Sequence, residues 1–420
     1  MRKRSWMEVR RKNNWVKIAA VILVVLAIGG TIFWAKLQKN TAKKPQTSQK
    51  EEALIPKKES VKTARIMAHG DLLYHDIVYW SAQKTGGYDF SENFEFSKSW
   101  TKQADLAIAD FEGTINPNRS LGGYPLFNAP QSVVEAIKDA GYDVVDLAHN
   151  HILDSGLEGI ASTVTAFQDK KIDCVGVFAN NPRSNSQILV KNVNGIKIAI
   201  LAYAYGFNGL ESALTAEQRN NFLSDFDEDR MKQEIQAAEK IADITIVMPQ
   251  AGNEYQLEPT ENQRSLYRKM IEWGADAVLG GHPHVPEPAE IIEKDGGKKL
   301  IVYSMGNFIS NQRIETMSGV VNAKWTERGV LMDLVIEKTG DKTQIKTAKT
   351  HPTWVSKTPK GSRAPNGFPQ YLYQTYILED FIEGGKYRHK LDEKTKIRVD
   401  NAYKETNELM NLEWSHHGTE

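Results

Sequence analysis

One cysteine, Cys174, stands in 420 residues. No disulfide can therefore close within the chain, and cysteine usage neither requires an oxidising compartment nor forbids one. An excess of charge is missing as well, since 53 Lys and Arg balance 53 Asp and Glu. That balance removes the overall basic field by which a protein engages nucleic acid, and any binding of a polyanion must rest on a local patch. Internal repeats and sustained heptads are absent, which excludes a solenoid or a coiled coil. Between residues 36 and 61 no aromatic side chain occurs and lysine dominates. Such a stretch cannot bury enough surface to fold and reads as a flexible linker, with Pro45 and Pro56 opposing a helix. Treated as a coil, its ends lie roughly 30 Å apart.

Core material is not lacking. At 40% hydrophobic content the chain has room for one large domain or two ordinary ones. The N-terminus adds a basic tail over residues 1–17, followed by a run without a charge from Ile18 to Ala35. Eighteen helical residues span about 27 Å, close to the hydrocarbon core of a bilayer, and Trp15 and Trp34 bracket the run as interfacial aromatics do. A cleaved signal peptide is the rival reading, but the run exceeds its usual apolar core and no clear Ala-x-Ala site follows. The expectation is one transmembrane anchor over 18–35, a cytoplasmic tail before it, and a large extracellular domain after it at the cell membrane.

From Val61 onward, short apolar runs alternate with longer helix-like segments. Strands are expected at "VKTARIMAHGD", "ADLAIADFEG", "GYDVVDLAHNH", "DITIVMP", "ADAVLGG" and "KKLIVYSMGNF". Helices are expected at "APQSVVEAIKDAG", "DSGLEGIASTVTAFQDKK", "DEDRMKQEIQAAEKIA" and "TENQRSLYRKMIEWG". Asn194-Gly195 between two apolar segments predicts a hairpin. The alternation predicts an α/β domain with mixed sheets. Past residue 312 the pattern weakens to a strand pair turning at Thr339-Gly340 and a terminal helix within 403–420.

Polar residues gather where these strands end: Asp71, then Asp110 and Glu112, then His149, Asn150 and His151, then Gln250 and Glu254, then His282 and His284. Strand carboxyl ends line the ligand crevice of open α/β sheets, so residues distant in sequence can converge there. Carboxylate, amide and imidazole groups together are the ligand set for Mn²⁺, Zn²⁺ or Fe²⁺. Each element alone has a bland reading: "GD" as a turn, "DFEG" as a capping or exposed acid, "GGHPHV" as two satisfied imidazoles in a turn, and Asp154 as the cap of the next helix. Their joint occurrence favours a metal site.

With "GD" at 70–71, "DFEG" at 110–113, "AHNH" at 148–151, "MPQAGNEY" at 248–255, "GGHPHV" at 280–285 and "VYSMGNF" at 302–308, the sequence resembles the bacterial CapA family, which includes the PgsA proteins of poly-γ-glutamate capsule synthesis. The resemblance covers roughly Thr63 to Asn311. It implies a four-layer calcineurin-like metallophosphoesterase sandwich over 62–312, followed by an extension over 313–420 that packs on it. It also implies membrane-bound capsule synthase and export subunits as partners, and an anionic polymer. Asp71, Glu112, Asn150, His282 and His284 match metal-binding positions of such folds, and Gln250 stands where many members carry histidine. His151 matches the histidine that helps protonate a leaving group, and Glu254 the acidic residue before tyrosine. Leu73 stands where two-metal phosphoesterases carry a histidine, which argues against two full metal shells. Asp110 replaces a frequent asparagine and adds negative charge.

Three functions are compatible with these residues. One is a membrane-anchored component of capsular polymer assembly or export, binding the polymer as it emerges. The second is a metal-dependent hydrolase of a phosphoester or amide in an envelope polymer, with His151 as general acid. The third is a surface scaffold whose polar cluster is structural. Whether the domain is catalytic stays open at this point.

Overall fold

The computed structural model describes residues 60–179, 183–184 and 187–414. The basic tail, the apolar run 18–35 and the linker up to residue 59 lie outside the described residues, as do His416 and His417. Among the described residues no helix is long and apolar enough to cross a membrane.

Strands form where apolar and β-branched residues run between turn residues. In chain order they begin with β1 (Val61–Leu73), the short pair β2 (Gln83–Lys84) and β3 (Gly87–Tyr88), β4 (Leu106–Glu112), β5 (Val144–Asp146) and β6 (Asp173–Val175). β7 (Leu189–Val193) and β8 (Ile196–Ala204) follow, joined as expected through Asn194 and Gly195. Those two residues have φ of 54° and 81°, the left-handed pair that a tight two-residue hairpin demands. Next come β9 (Ile244–Gln250), β10 (Ala277–Leu279), β11 (Pro286–Lys294), β12 (Gly297–Met305) and β13 (Asn307–Ile309). β14 (Arg328–Thr339), β15 (Lys342–Arg363) and β16 (Pro369–Ile377) complete the set.

Two mixed sheets result. The larger runs β16-β15-β14-β1-β4-β5-β6, with β13 also pairing β1; the smaller runs β11-β12-β10-β9-β8-β7. Each has a parallel centre: β1, β4, β5 and β6 in one, β8, β9, β10 and β12 in the other. The residues after 313 extend the larger sheet, because β14 lies antiparallel to β1 from Val61↔Thr339 to His69↔Leu331.

Period-two alternation divides the smaller sheet between two cores. Ile198, Ile200, Ala202, Ile246 and Val302 join the core shared with the larger sheet. Ala199, Leu201, Tyr203, Val247 and Ile301 instead meet Met231 and Ile235 of helix Glu228–Glu239 and Tyr267 and Ile271 of helix Glu261–Trp273. Helices Ser132–Asp139 and Gly156–Asp169 join the larger sheet's core through Val133, Ile137, Ile160 and Phe167, the last edge-on to Phe111 of β4. The layers are helix, sheet, sheet, helix. Burying one such aliphatic or aromatic side chain contributes roughly 1.5–3 kcal/mol, so stacked sheets clamp the strand ends between them.

Helix ends follow local chemistry. Thr260 accepts the N–H of Gln263 while the Gln263 amide oxygen accepts the N–H of Thr260, a reciprocal cap that starts helix Glu261–Trp273. The terminal helix begins earlier than its expected span, as Glu393–Met410, because Asp392 accepts the N–H of Thr395 and fixes the first turn.

Candidate metal centre

Strand register builds the first half of the site. Asp71 of β1 lies opposite Asp110 of β4, and Asp110 opposite Asp146 of β5, so three buried aspartates form a row across three parallel strands. Glu112 follows on β4 and is equally buried. Gly70 makes the approach possible: a Cβ there would lie 2.0 Å from the carbonyl oxygen of Gly306, whose acceptor receives the Asp71 N–H at 3.0 Å. "GD" is thus a close crossing inside β1 and not a turn.

The smaller sheet supplies the second half through the loop after β10. A Cβ on Gly281 would stand 2.8 Å from Oδ2 of Asp110 and 3.2 Å from Oδ1 of Asp71, so glycine lets this loop close onto the carboxylates. His282 and His284 then occupy the left-handed region, with φ of 96° and 58°. For residues with a Cβ such conformations cost of order 1–3 kcal/mol, and they persist where the surroundings hold a functional arrangement. The loop is pinned by Tyr255, itself at φ 64°, whose N–H donates to Pro283 O at 2.8 Å.

The two imidazoles differ. His284 Nδ1 lies 2.8 Å from Asp71 Oδ2 and 3.7 Å from Glu112 Oε2. Burial works against its charge, yet Glu112 and Asp71 raise it to about 9. His282 is pushed down to about 3, first by burial and then by His284 and His151, which keeps it neutral, the form in which imidazole binds metal. Its Nδ1 is buried without a hydrogen-bond partner.

Asn150, His151 and Gln250 meet beside them. The Asn150 N–H donates to Gln250 Oε1 at 2.7 Å, so the Gln250 oxygen is engaged and its buried Nε2 is left without a partner. Asn150 Nδ2 donates to Asn208 Oδ1 at 3.2 Å, while Asn150 Oδ1 is buried and unpartnered. His151 Nδ1 lies 2.8 Å from Asp154 Oδ2. Asp154 does not cap the next helix, whose first flanking residue is Ser155; its carboxylate instead holds His151 and accepts the Phe127 N–H at 2.6 Å. Protonation at Nδ1 satisfies Asp154 and leaves Nε2 for chemistry. His149 is spent on structure, its ring nitrogens facing the N–H groups of Gly113 (3.3 Å) and His151 (3.2 Å).

These side chains fit a cation. Ligand atoms of Asp71, Glu112 and His284 all lie within 4.8 Å of one another. Asp71 Oδ1, Asp110 Oδ1 and both Glu112 oxygens are buried without a hydrogen-bond partner among the described residues. Unpaired buried carboxylates are costly unless a cation or a proton answers them. The strain shows in their proton affinity. Burial, then His284 against it and Asp71 with it, leaves Glu112 at about 7. Burial, then Asp146, Asp71 and Glu112, drives Asp110 well above the usual carboxylate range, and burial does the same to Asp146. Three orphaned donor types in one dry place form a group able to hold a metal ion.

Glu254 is exposed at the rim, near enough to raise both Glu112 and His284. Tyr205 leans over His282 with ring centroids 4.6 Å apart. Sequence reasoning took Asp154 for a helix cap and passed over three neighbours: Asp146, Asn208 and His75, whose imidazole is pushed down by burial and by His284. Only Asp146 had a sequence signal, an acid closing the apolar strand "VVD".

A sequence model of the bacterial capsule synthesis protein family PGA_cap matches residues 65–312, from β1 to just past β13. The chain belongs to that capsule synthesis family. It is similar to the capsule biosynthesis protein CapA of Bacillus anthracis, 27% identical over 317 residues that make up 73% of this chain and 71% of the relative. It is 34% identical over 223 residues to the PGA biosynthesis protein CapA of Bacillus subtilis strain 168, covering 52% and 57% of the two chains. A probable polyglutamine synthesis accessory protein of Mycobacterium tuberculosis is 26% identical over 176 residues, 40% of this chain and 45% of the relative. Among solved structures, the calcineurin-like phosphoesterase YfkN of Bacillus subtilis covers 84% of this chain and all (100%) of its own at 16% identity and a TM-score of 0.39. A putative 5'-nucleotidase of Staphylococcus aureus covers 82% and 58% at 12% identity and a TM-score of 0.40. At these scores the structural likeness is too distant to argue from. Every residue of the capsule family member's centre, from Asp71 to His284, falls inside the matched stretch.

Proposed function

We propose that this capsule family protein is a membrane-anchored, extracytoplasmic component of poly-γ-glutamate-type capsule assembly or export, working beside membrane-bound synthase and export subunits. In this reading Asp71, Glu112 and His284 hold one divalent ion of the Mn²⁺, Zn²⁺ or Fe²⁺ class, with His282 and Asn150 completing its shell. Gln250 positions Asn150, whose N–H its amide oxygen accepts, and the second lone pair of that oxygen is open to the ion. The observation that carries the metal assignment is Glu112, fully buried with both oxygens unpartnered. The capsule role is supported by the family match and by the capsule names of the relatives.

Two measurements test it. Elemental analysis of the purified full chain is expected to find about one divalent ion per chain, lost in Glu112→Gln and His284→Ala; equal metal content in all three would overturn the metal centre. A strain keeping residues 1–61 but lacking the rest is expected to lose its surface polymer, and unchanged polymer would overturn the capsule role.

A hydrolytic reading is favoured by one specific contact, the His151–Asp154 pair beside the centre. A bound divalent ion would supply Lewis-acid polarisation of an ester or amide. Asp154 holds the Nδ1–H and the aim of His151, whose Nε2 hands a proton to a leaving group when the ring is doubly protonated and accepts one when it is neutral. Loss of Mn²⁺-dependent hydrolysis of a phosphodiester or γ-glutamyl amide in His151→Ala, with metal content intact, would support it; no turnover by the wild type would defeat it.

A further inference from the structure

A second cavity lies away from the metal centre, between β15 and the start of helix Glu393–Met410. It encloses about 420 Å³, within the range of ligand-sized clefts, roughly 300–1,000 Å³. Its place follows from register. β14 accompanies β15 only from Lys342 to Trp354, so beyond Trp354 one edge of β15 lacks a strand neighbour. That edge meets the 313–315 loop, where Arg313 Nη1 donates to Val355 O at 3.2 Å.

The lining is basic and aromatic. Arg313, Lys357, Lys390 and Arg398 face two carboxylates, Glu315 and Asp392. The two arginines are already satisfied: Arg313 bonds Glu315 at 2.7 Å and Arg398 bonds Glu315 at 2.7 Å, while both reach Glu327. The two lysines meet no carboxylate. Among the described residues neither Lys357 nor Lys390 makes an ion pair; Lys357 Nζ donates to the amide oxygen of Asn311 at 3.0 Å and lies 4.4 Å from the Tyr371 ring centre. Burial and then Arg313 push Lys357 down to about 8, a strain that an arriving anion would relieve.

One further donor points to a ligand. Trp354 Nε1 belongs to a lining side chain that is 4% exposed and has no hydrogen-bond partner among the described residues. A buried N–H without a partner costs about 1–3 kcal/mol, and a carboxylate can accept from it. A chain of net zero charge thus concentrates free cations and donors in one cleft.

We propose that this cleft binds the pendant carboxylates of an acidic polymer segment, with Lys357 and Lys390 supplying charge and Trp354 supplying a directional hydrogen bond. It rests on the capsule reading only for the polymer's identity, γ-linked glutamate. It assigns polymer recognition to the residues after 313 and leaves the metal centre free for another task.

The test is fluorescence anisotropy of a labelled γ-linked glutamate decamer with the purified full chain. Lys357→Gln is expected to weaken binding about tenfold, the scale of one charge-assisted hydrogen bond. Trp354→Phe keeps the ring under Arg313 and Arg398 but removes the N–H, and is expected to weaken binding about threefold to tenfold with an unchanged melting temperature. Binding within twofold of wild type in both variants overturns the site, as does equal binding of a neutral γ-linked isoglutamine decamer, whose pendant α-carboxyls are amides. The capsule reading fails separately, through surface polymer that survives deletion of the domain.

Discussion

Glu112→Gln separates a metal site from a structural cluster, because the two make opposite predictions for the metal-free protein. Burial, offset only in part by His284, raises the Glu112 carboxyl from its ordinary 4.5 to about 7. A folded value above the unfolded one means that folding takes up a proton between those limits. The cost of the charged form is therefore absent below pH 4.5 and fully present above about pH 7. At about 1.4 kcal/mol per pH unit, the metal-free protein gives up about 3 kcal/mol at pH 8 to keep this carboxylate buried. Glutamine has the same shape and no charge. In chelator at pH 8 the variant is expected to melt about 4 °C above wild type, given the unfolding entropy of a body this size. Near pH 4.5 the difference should vanish. Adding Mn²⁺ or Zn²⁺ at pH 8 should reverse the order, since bound ion stabilises only the form that holds it. Thermal melts followed by circular dichroism, at two pH values and with and without metal, give all the readings. A variant equally destabilised at both pH values, or wild type unresponsive to every divalent ion, would refute the reasoning.

Other substitutions probe the parts around it. Gly281→Ala places a methyl 2.8 Å from Asp110 Oδ2, which the carboxylate can escape by rotating; metal affinity should fall at least tenfold by titration, with about 1 kcal/mol or less lost from stability. Asp154→Asn removes the negative charge and turns one of the two oxygens that aim His151 into a donor, and if the protein hydrolyses a substrate its kcat should fall at least a hundredfold with KM little changed. At His351 burial opposes the charge, but hydrogen bonds to Asp333 and Glu379 raise it to about 9. Its stabilisation is full below pH 6.5 and lost as pH rises through about 9, at most about 3 kcal/mol; urea melts of His351→Gln should show that slope flattened.

What could be read along the chain followed from local physics. Apolar runs ending in Asp, Glu, Gln or His marked β1, β4, β5, β9 and β10, and Asn194-Gly195 marked its hairpin, because alternation and turn chemistry are properties of neighbouring residues. β11 escaped notice because Pro286 and Pro288 argue against a strand; it exists because it lies at the sheet's edge, where a missing N–H costs little. β16 and the full 22 residues of β15 depended on each other's pairing and had no independent signal.

The sequence by itself determined the kinds of ligand available, their order, and the strand ends that carry them, since residue type and periodicity are local. Only the tertiary structure decided which oxygens are left over. Among the described residues both Glu112 oxygens lack a hydrogen-bond partner while the Gln250 oxygen accepts the Asn150 N–H, Asp154 serves His151 and not a helix, and Lys357 meets the Asn311 amide and no carboxylate. The contacts that build the centre join partners 100 or more residues apart, such as Gln250 with Asn150 and His284 with Asp71. A hydrogen bond is settled by distance in space, and strand stacking between two sheets sets that distance.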